Sequence, residues 1–255
     1  MNEEILLFEA HSLRKKFAST AAVDGVNLSI RRGEVLALVG ESGSGKTTLA
    51  RLFLNLTTPD TGNILFKGRN IFAMRGPELK AFRSAAQIIF QNPYTSLNPR
   101  MRIKTILAEP LLIHKHLSRN ELAAEVGALL KLVGLPPEYK QRFPHELSGG
   151  ERQRVGIARA LAPSPSFIIC DEPVSSLDVS IQAQILNLLR HLQRKLGLTY
   201  LFIAHDLAVV KYMADRVAVM QSGKIVEIAA SNEIFRKPQH PYTKQLLAST
   251  PSIPT

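Results

Sequence analysis

Gly40-Glu-Ser-Gly-Ser-Gly-Lys-Thr-Thr48 is the stretch whose reading decides the fold. Gly40-x-x-x-x-Gly45-Lys46-Thr47 fits the phosphate-binding P-loop pattern. The apolar run Glu34-Val-Leu-Ala-Leu-Val39 before it has strand character. After it, Leu49, Leu52, Phe53 and Leu56 recur at one-face helical spacing, which predicts a helix over Thr47–Leu56. Strand, glycine loop and helix therefore follow in the order the pattern needs. Glycine lets the backbone turn inward without a Cβ clash. The backbone N–H groups and the helix N-terminus then face an anion. Gly40, Glu41, Ser42, Gly43, Ser44, Gly45, Lys46, Thr47 and Thr48 form the expected nucleotide-binding set, with nucleotide phosphates and Mg²⁺ as ligands. Lys46 is expected to reach the β- and γ-phosphates, and the Thr47 hydroxyl to ligate Mg²⁺.

Further along, the apolar run Ser166-Phe-Ile-Ile-Cys170 ends in Asp171-Glu172-Pro173. A buried strand delivering two adjacent carboxylates at its C-terminal end suggests two roles, because successive strand side chains point to opposite faces. Asp171 is expected to hold Mg²⁺, directly or through water, and Glu172 to orient and deprotonate an attacking water. Two solvated charges are the bland alternative. Tyr200-Leu-Phe-Ile-Ala204 ends in His205, and Gln87-Ile-Ile-Phe90 ends in Gln91. Ligands of open parallel sheets sit outside the carboxyl ends of the strands. That places His205 near the γ-phosphate and Glu172, and lets Gln91 touch Mg²⁺ or the water. Cys170, the one cysteine, reads as packing. The remaining histidines show no metal-ligand spacing, so no protein-built metal site is expected.

Leu147-Ser-Gly-Gly-Glu-Arg-Gln-Arg154 is a second glycine turn. Ser148 and Glu151 make a capping box, like Ser118 with Glu121, and a helix through Val155, Ile157, Ala158 and Leu161 follows. An ordinary cap needs no Gly-Gly, which costs about 1 kcal/mol per residue in helix stability relative to Ala. Close approach of an anion would explain both glycines, with Ser148, Gly149 and Gly150 offering N–H groups at a positive helix end. The P-loop already holds its own phosphates, so this second site reads as serving a nucleotide held by another chain.

Composition bounds the rest. A chain of 255 residues, 45% hydrophobic, can bury a full core as one large or two small domains. No run of 18 apolar residues is present, so no membrane span is expected. The N-terminus does not read as a secretory signal, and the single cysteine suits a reducing compartment. The net charge of +11 admits nucleic acid as one reading. The basic residues are spread, however, and no aromatic platform is interleaved. A solvated surface, an anionic nucleotide and an anionic membrane face account for the charge, and nucleic acid is not an expected partner.

Leu122, Val126, Leu129, Leu130 and Val133 form a helical stripe closed by Gly134. It belongs to a helical insertion between the Gln91 strand and the Asp171 strand. Ile181, Ile185, Leu188, Leu189, Leu192 and Leu196 mark an amphipathic helix that ends at Gly197. Val26, Leu28 and Ile30 alternate as a strand, and Asn63–Lys67 reads as another. Arg216–Glu227 reads as strand, Gln221-Ser-Gly-Lys turn and strand.

Taken together, these segments resemble the nucleotide-binding subunit of ATP-binding cassette (ABC) transporters over nearly all of the chain. The resemblance implies an α/β P-loop NTPase fold: a RecA-like core with an antiparallel β subdomain and an inserted α-helical subdomain. The ABC ATPase domain is expected over 1–235. Its core would span 1–92 and 160–235, and its helical subdomain, bearing the signature, 93–159. A short tail over 236–255 follows. Leu147–Arg154 matches the family signature, Phe167–Glu172 the Walker B strand and Ser176-Leu177-Asp178 the D-loop, although Ser176 stands where alanine is common. The resemblance makes His205 the switch histidine and Gln91 the Q-loop glutamine. It puts Asp178 with Ser148, Gly149 and Gly150 in trans to a partner's nucleotide. Phe17 stands where an aromatic stacks on adenine, with core packing as the alternative.

Phe90-Gln-Asn-Pro-Tyr-Thr-Ser-Leu-Asn-Pro-Arg100 and His240-Pro-Tyr-Thr-Lys-Gln-Leu-Leu247 resemble the oligopeptide, dipeptide and nickel importer branch more narrowly. That implies ATP-driven uptake on the cytoplasmic face of the inner membrane. The implied partners are an identical or paralogous ATPase subunit, two transmembrane permeases contacted near Gln91 and Tyr94, and an extracytoplasmic solute-binding protein. A soluble enzyme complex such as carbon–phosphorus lyase is the alternative assembly. With no cysteine beyond Cys170, no C-terminal iron–sulfur cluster is expected.

Overall fold

The structure is a computed structural model that describes residues 5–18, 20–92, 96–115 and 117–249. Tyr94, and with it part of the importer-like stretch after Gln91, lies outside the described residues. The elements run β1 (Leu6–Phe17), β2 (Thr20–Arg31), β3 (Val35–Val39), α1 (Lys46–Phe53), β4 (Thr61–Phe66), β5 (Arg69–Asn70), α2 (Gly76–Ala85) and β6 (Ala86–Ile89). Next come α3 (Ile103–His114), α4 (Arg119–Leu132), short 3-10 turns at Pro137–Gln141 and Pro144–Glu146, α5 (Gly149–Leu161), β7 (Phe167–Asp171) and α6 (Val179–Leu196). The chain closes with β8 (Thr199–Ile203), α7 (Leu207–Met213), β9 (Arg216–Gln221), β10 (Lys224–Ala230), α8 (Ser231–Arg236) and α9 (Pro241–Ala248). Two compact units result, Met1–Phe82 with Gly197–Thr255, and Arg83–Leu196.

In the first unit, β1 pairs antiparallel with both β2 and β4, giving the order β2-β1-β4-β5. Val26, Leu28 and Ile30 are buried and alternate with more exposed neighbours, as a strand with one covered face requires. β3 is buried throughout and runs parallel to β8 and β9, the environment that continuous apolar runs fit. β10 turns back antiparallel to β9. Ser222 (φ 46°) and Gly223 (φ 82°) make the two-residue turn with both central residues left-handed, which matches the twist of a hairpin. Phe8 of β1 meets Phe53 of α1 edge-on at 5.3 Å and Phe66 of β4 at 4.9 Å, so aromatic contacts tie α1 to the antiparallel sheet.

Helix α1 is shorter than its apolar spacing predicts. It stops at Phe53, and Leu56 is 64% exposed rather than part of the packed face. Asn55 adopts φ 52°; its N–H donates to Leu52 O and the Leu56 N–H to Arg51 O. This paired closure satisfies the last carbonyls and ends the helix. Periodicity alone does not reveal it, because asparagine tolerates the left-handed conformation without announcing it.

In the second unit, β6 and β7 pair in parallel, Ala86 opposite Phe167. The described part of 93–159 carries helices and 3-10 turns. Val126, Leu129, Leu130 and Val133 are buried along α4, and Gly134 (φ 72°) closes it by the same paired bonds, its N–H on Lys131 O and that of Leu135 on Leu130 O. On α6 the buried face is Ile185, Leu186, Leu189 and Leu192. Leu196, expected in the stripe, is 45% exposed at the helix end, and Leu186 joins the buried set.

Candidate functional site

The phosphate-loop half belongs to the first unit. β3 ends at Val39, and the chain turns through Gly40 (φ 151°), Gly43 (φ 80°) and Gly45 (φ 109°) into α1. A Cβ on Gly40 would lie 2.1 Å from Met220 O, and one on Gly45 2.0 Å from Ala22 O. Backbone of β9 and β2 therefore walls the loop, and neither position admits a side chain. The hairpin turn adds a strut, the Gly223 N–H donating to Ser44 O at 2.9 Å. Gly45 caps α1 without a side-chain hydrogen bond, and the first turn carries no acidic residue. The positive end of this helix is thus left to an external anion.

Lys46 is 8% exposed; its Nζ donates to Gly40 O at 2.7 Å, Glu41 O at 2.8 Å and Ser44 Oγ at 3.4 Å. Glu41, Ser42, Gly43 and Thr47 are exposed along the loop, and Thr48 is half-buried. Phe17, at the end of β1, is 52% exposed with the Lys15 ammonium 5.6 Å from its ring centre. The core-packing alternative for Phe17 is therefore wrong. His205 follows β8 and is exposed, whereas Asp206 beside it is the N-cap of α7, accepting from the Ala208 and Val209 N–H groups.

The carboxylate half belongs to the second unit. Asp171 closes β7, but Glu172 lies beyond the strand at φ 47°. The strand alternation expected to aim the two carboxylates apart is replaced by a left-handed turn, a conformation that non-glycine residues adopt at a cost and that concentrates at functional sites. Gln91 Nε2 donates to Glu172 Oε2 at 2.8 Å, bringing these two candidates together. Ser175 Oγ donates to Glu172 O at 3.1 Å, and Ser176 Oγ to Gln91 O at 3.4 Å. The serine at the D-loop position thus has a structural use. Asp178 is exposed just before α6, and its carbonyl accepts the Gln182 N–H. Cys170 is fully buried, and burial followed by the nearby Asp171 charge pushes its thiol pKa up, in keeping with packing.

Gln153 is the functional-site residue that sequence reasoning missed. It is 1% exposed on α5, and its Nε2 donates to Pro173 O at 2.8 Å and Phe90 O at 3.5 Å. The glycine-turn helix therefore grips the residue after Glu172 and the residue before Gln91. The only prior signal was a polar residue at a position where the helix face is otherwise apolar.

The signature turn corrects two expectations. Its capping box is complete: Ser148 Oγ accepts the Glu151 N–H, and the Ser148 N–H donates to Glu151 Oε2 at 2.8 Å. The Ser148 N–H is therefore engaged within the turn rather than offered outward. Tyr139 Oη donates to the other Glu151 oxygen at 2.8 Å. These bonds, the Ser148 backbone first, hold the Glu151 carboxyl below its ordinary pKa. Second, a Cβ on Gly150 would lie 2.6 Å from Ile181 Cγ2, so close packing of α6 against α5 already requires that glycine. Anion approach is not needed to explain it.

Comparison with known proteins agrees with this geometry. Residues 23–175 match the ABC transporter family, and residues 226–255 match the oligopeptide/dipeptide transporter C-terminal region. The chain is 55% identical to the oligopeptide transport ATP-binding protein OppF of Streptococcus mutans over 231 residues, covering 90% of this chain and 75% of that one. Among solved structures it is similar to cbiO1 from Clostridium perfringens, part of the ABC transporter complex cbiONQ, with TM-score 0.83, 31% identity and 92% of each chain covered. It is also similar to the dimeric post-hydrolysis state of the ATP-binding cassette MJ0796 bound to ADP and Pi, with TM-score 0.78, 28% identity and coverage of 88% of this chain and 98% of that one. The chain belongs to the ABC transporter family and is one of its ATP-binding, ATP-hydrolysing subunits.

Proposed function

We propose that this chain powers the import of peptides, with nickel or a related small solute as the neighbouring possibility in the same branch. The observation that carries the reading is the C-terminal region, residues 226–255, which matches that of oligopeptide and dipeptide transporters. The 55% identity to an oligopeptide transport ATP-binding protein supports it. No helix among the described residues is long and apolar enough to cross a membrane. Transport on this reading needs separate permeases, a solute-binding protein outside the cell and a second ATPase subunit, identical or paralogous, with this chain at the cytoplasmic membrane face. The boundaries 1–235, with core 1–92 and 160–235 and helical part 93–159, and a tail over 236–255 remain the working division of labour.

Each candidate residue has a role set by its chemistry. Lys46 exchanges its loop carbonyls for β- and γ-phosphate oxygens, and loop N–H groups beyond Glu41, together with the helix end, receive the remaining charge. Phe17 presents an exposed ring face to adenine. Thr47, Asp171 and Gln91 offer only oxygen donors, the set a hard ion such as Mg²⁺ takes when it is shared with phosphates. When bound, Mg²⁺ neutralises charge on the phosphate oxygens. Glu172 accepts the proton of the attacking water, with Gln91 orienting its carboxylate, and His205 holds the γ-phosphate side. Ser148, Gly149, Gly150 and Asp178 act on the nucleotide of the other subunit. Closure of the pair then depends on the γ-phosphate and is released by hydrolysis.

Replacing Glu172 tests the chemical half. Glu172→Gln is expected to bind ATP as the parent does while turnover falls about a hundredfold to ten-thousandfold. Near-parental turnover would remove Glu172 from the base role. Isolation of the native complex in detergent, with identification of its subunits and bound solute, tests the transport half. Soluble enzyme subunits in place of permeases would overturn it.

A further inference from the structure

The tail motif around His240-Pro-Tyr242 does more than mark a branch of the family. Tyr242 lies near the start of α9, is 6% exposed, and its Oη accepts the Glu41 N–H at 3.0 Å. That N–H and the Gly40 carbonyl belong to one peptide group. The same carbonyl accepts Lys46 Nζ at 2.7 Å. One planar unit, the first peptide of the phosphate loop, is thus held from one side by the tail tyrosine and from the other by the phosphate-binding lysine. Because the peptide is rigid, fixing its N–H fixes the direction of its carbonyl.

The tail is itself held in place. Glu227 of β10 accepts the Gln239 N–H at 2.8 Å and the His240 N–H at 3.0 Å. His240 caps α9, its Nδ1 accepting the Tyr242 N–H at 3.2 Å, and Pro241 opens the helix where a missing N–H does no harm. Burial pushes the Glu227 carboxyl pKa up, but the hydrogen bonds it accepts outweigh this and hold it below the ordinary range. It stays ionised as the anchor at neutral pH. A sequence of hydrogen bonds runs from β10 through the cap of α9 to the loop.

From this arrangement we infer that Tyr242 is a positioning residue for nucleotide binding, keeping the first phosphate-loop peptide in its working orientation while Lys46 moves from its carbonyl to the phosphates. Without the tyrosine oxygen, that peptide loses its hold on the N–H side, and it loses the Lys46 bond as well at the moment the nucleotide takes the lysine. Preorganisation of this kind acts on affinity rather than on the chemical step. The inference rests on the phosphate loop being the nucleotide site.

The test is Tyr242→Phe in the full chain, which keeps the buried ring and removes only the acceptor. Binding of ATP and ADP is measured by calorimetry, turnover by phosphate release, and unfolding by thermal melts without nucleotide. The expected result is a Kd and KM raised about threefold to tenfold, the range one hydrogen bond supplies. The expected kcat lies within twofold of the parent, and the nucleotide-free melting temperature is little changed. Unchanged Kd overturns the inference, and so does a Kd change that accompanies a large loss of nucleotide-free stability. If the variant does not fold, hydrogen exchange of the Glu41 amide in the parent protein decides: slow exchange supports the bond to Tyr242, and exchange at the rate of an open loop overturns it. A parent protein that fails to bind nucleotide would instead refute the phosphate-loop assignment itself.

Discussion

Two glycine turns at helix N-termini, one in each unit, look alike on paper and are built on opposite principles. At the phosphate loop, Gly40, Gly43 and Gly45 have positive φ, a Cβ on Gly40 or Gly45 would strike a backbone carbonyl, and α1 starts with no side-chain cap. At the signature turn, Ser148 and Glu151 satisfy each other's N–H groups, and Gly150 makes room for the Ile181 side chain. The first turn is shaped by rigid backbone around a helix end left to an external anion. The second is internally capped and gains its glycine through helix packing. A glycine pair in a motif therefore does not by itself reveal a ligand; what its absent Cβ would touch separates the two cases.

Alanine at matching positions breaks this comparison if it is wrong. Gly45→Ala forces a Cβ against Ala22 O at a left-handed φ. Overpacking of about 1–3 kcal/mol adds to backbone strain of about the same size, and nucleotide binding should be lost with it. Gly150→Ala meets Cγ2, the branch methyl of Ile181, which belongs to a side chain and not to rigid backbone, so its cost is expected within about 1–3 kcal/mol and below that of Gly45→Ala. Trimming Ile181 to Val, which removes its terminal methyl and leaves Cγ2 the same, should recover little; Ile181→Ala should recover much of it. Thermal melts and nucleotide titration of the four variants check this. Equal damage at Gly45 and Gly150, or no rescue by Ile181→Ala, would erase the distinction.

A smaller effect sharpens the contrast between how the two halves are supported. Backbone walls hold the phosphate loop, whereas one buried side chain, Gln153, holds the carbonyls next to Glu172 and Gln91. Gln153→Leu keeps the volume and leaves Pro173 O without this donor, a loss of about 1–3 kcal/mol. Turnover is expected to fall severalfold while ATP affinity stays at the parental value. Steady-state kinetics against ATP separate the two. A raised KM with unchanged kcat would show that Gln153 supports the nucleotide instead.

These cases also mark how far the chain could be read before its structure was known. The strand ends at Asp171, Gln91 and His205, the glycine loop and both capping boxes were legible, because each is a local pattern with a local cause. The end of α1 was not, since Asn55 closes it through a conformation that apolar spacing does not encode. Gly150 was legible as unusual but not for its reason, which lies on another helix. Glu172 was picked out by its neighbours, yet its left-handed turn was hidden by the strand alternation assumed for it. Tyr242 meets Glu41 across 201 residues of sequence, and Gln153 meets Phe90 across 63. No periodicity carries such pairings; they follow from the fold as a whole.

The mildest perturbation, acid, acts on one turn through a capping carboxylate that the other helix start lacks. Glu151 has a depressed folded-state pKa: the Ser148 backbone bond lowers it most, burial opposes that, and the Tyr139 and Ser148 side chains then add to the lowering. Its contribution to stability is therefore present above the unfolded glutamate value of about 4.3 and is lost as pH falls through the lower folded value. The first turn of α1 contains no carboxylate, so the cap of that helix has no counterpart to this loss. Glu151→Gln keeps a capping side chain but cannot titrate, and its melting temperature should fall less steeply than the parent's between about pH 5 and 3. The carboxylate is mostly solvent-facing, so the expected difference is small and is read from paired melts at several pH values. Parallel slopes for parent and variant would mean that the signature cap is held by Ser148 and the helix packing beneath it, with the Glu151 charge idle.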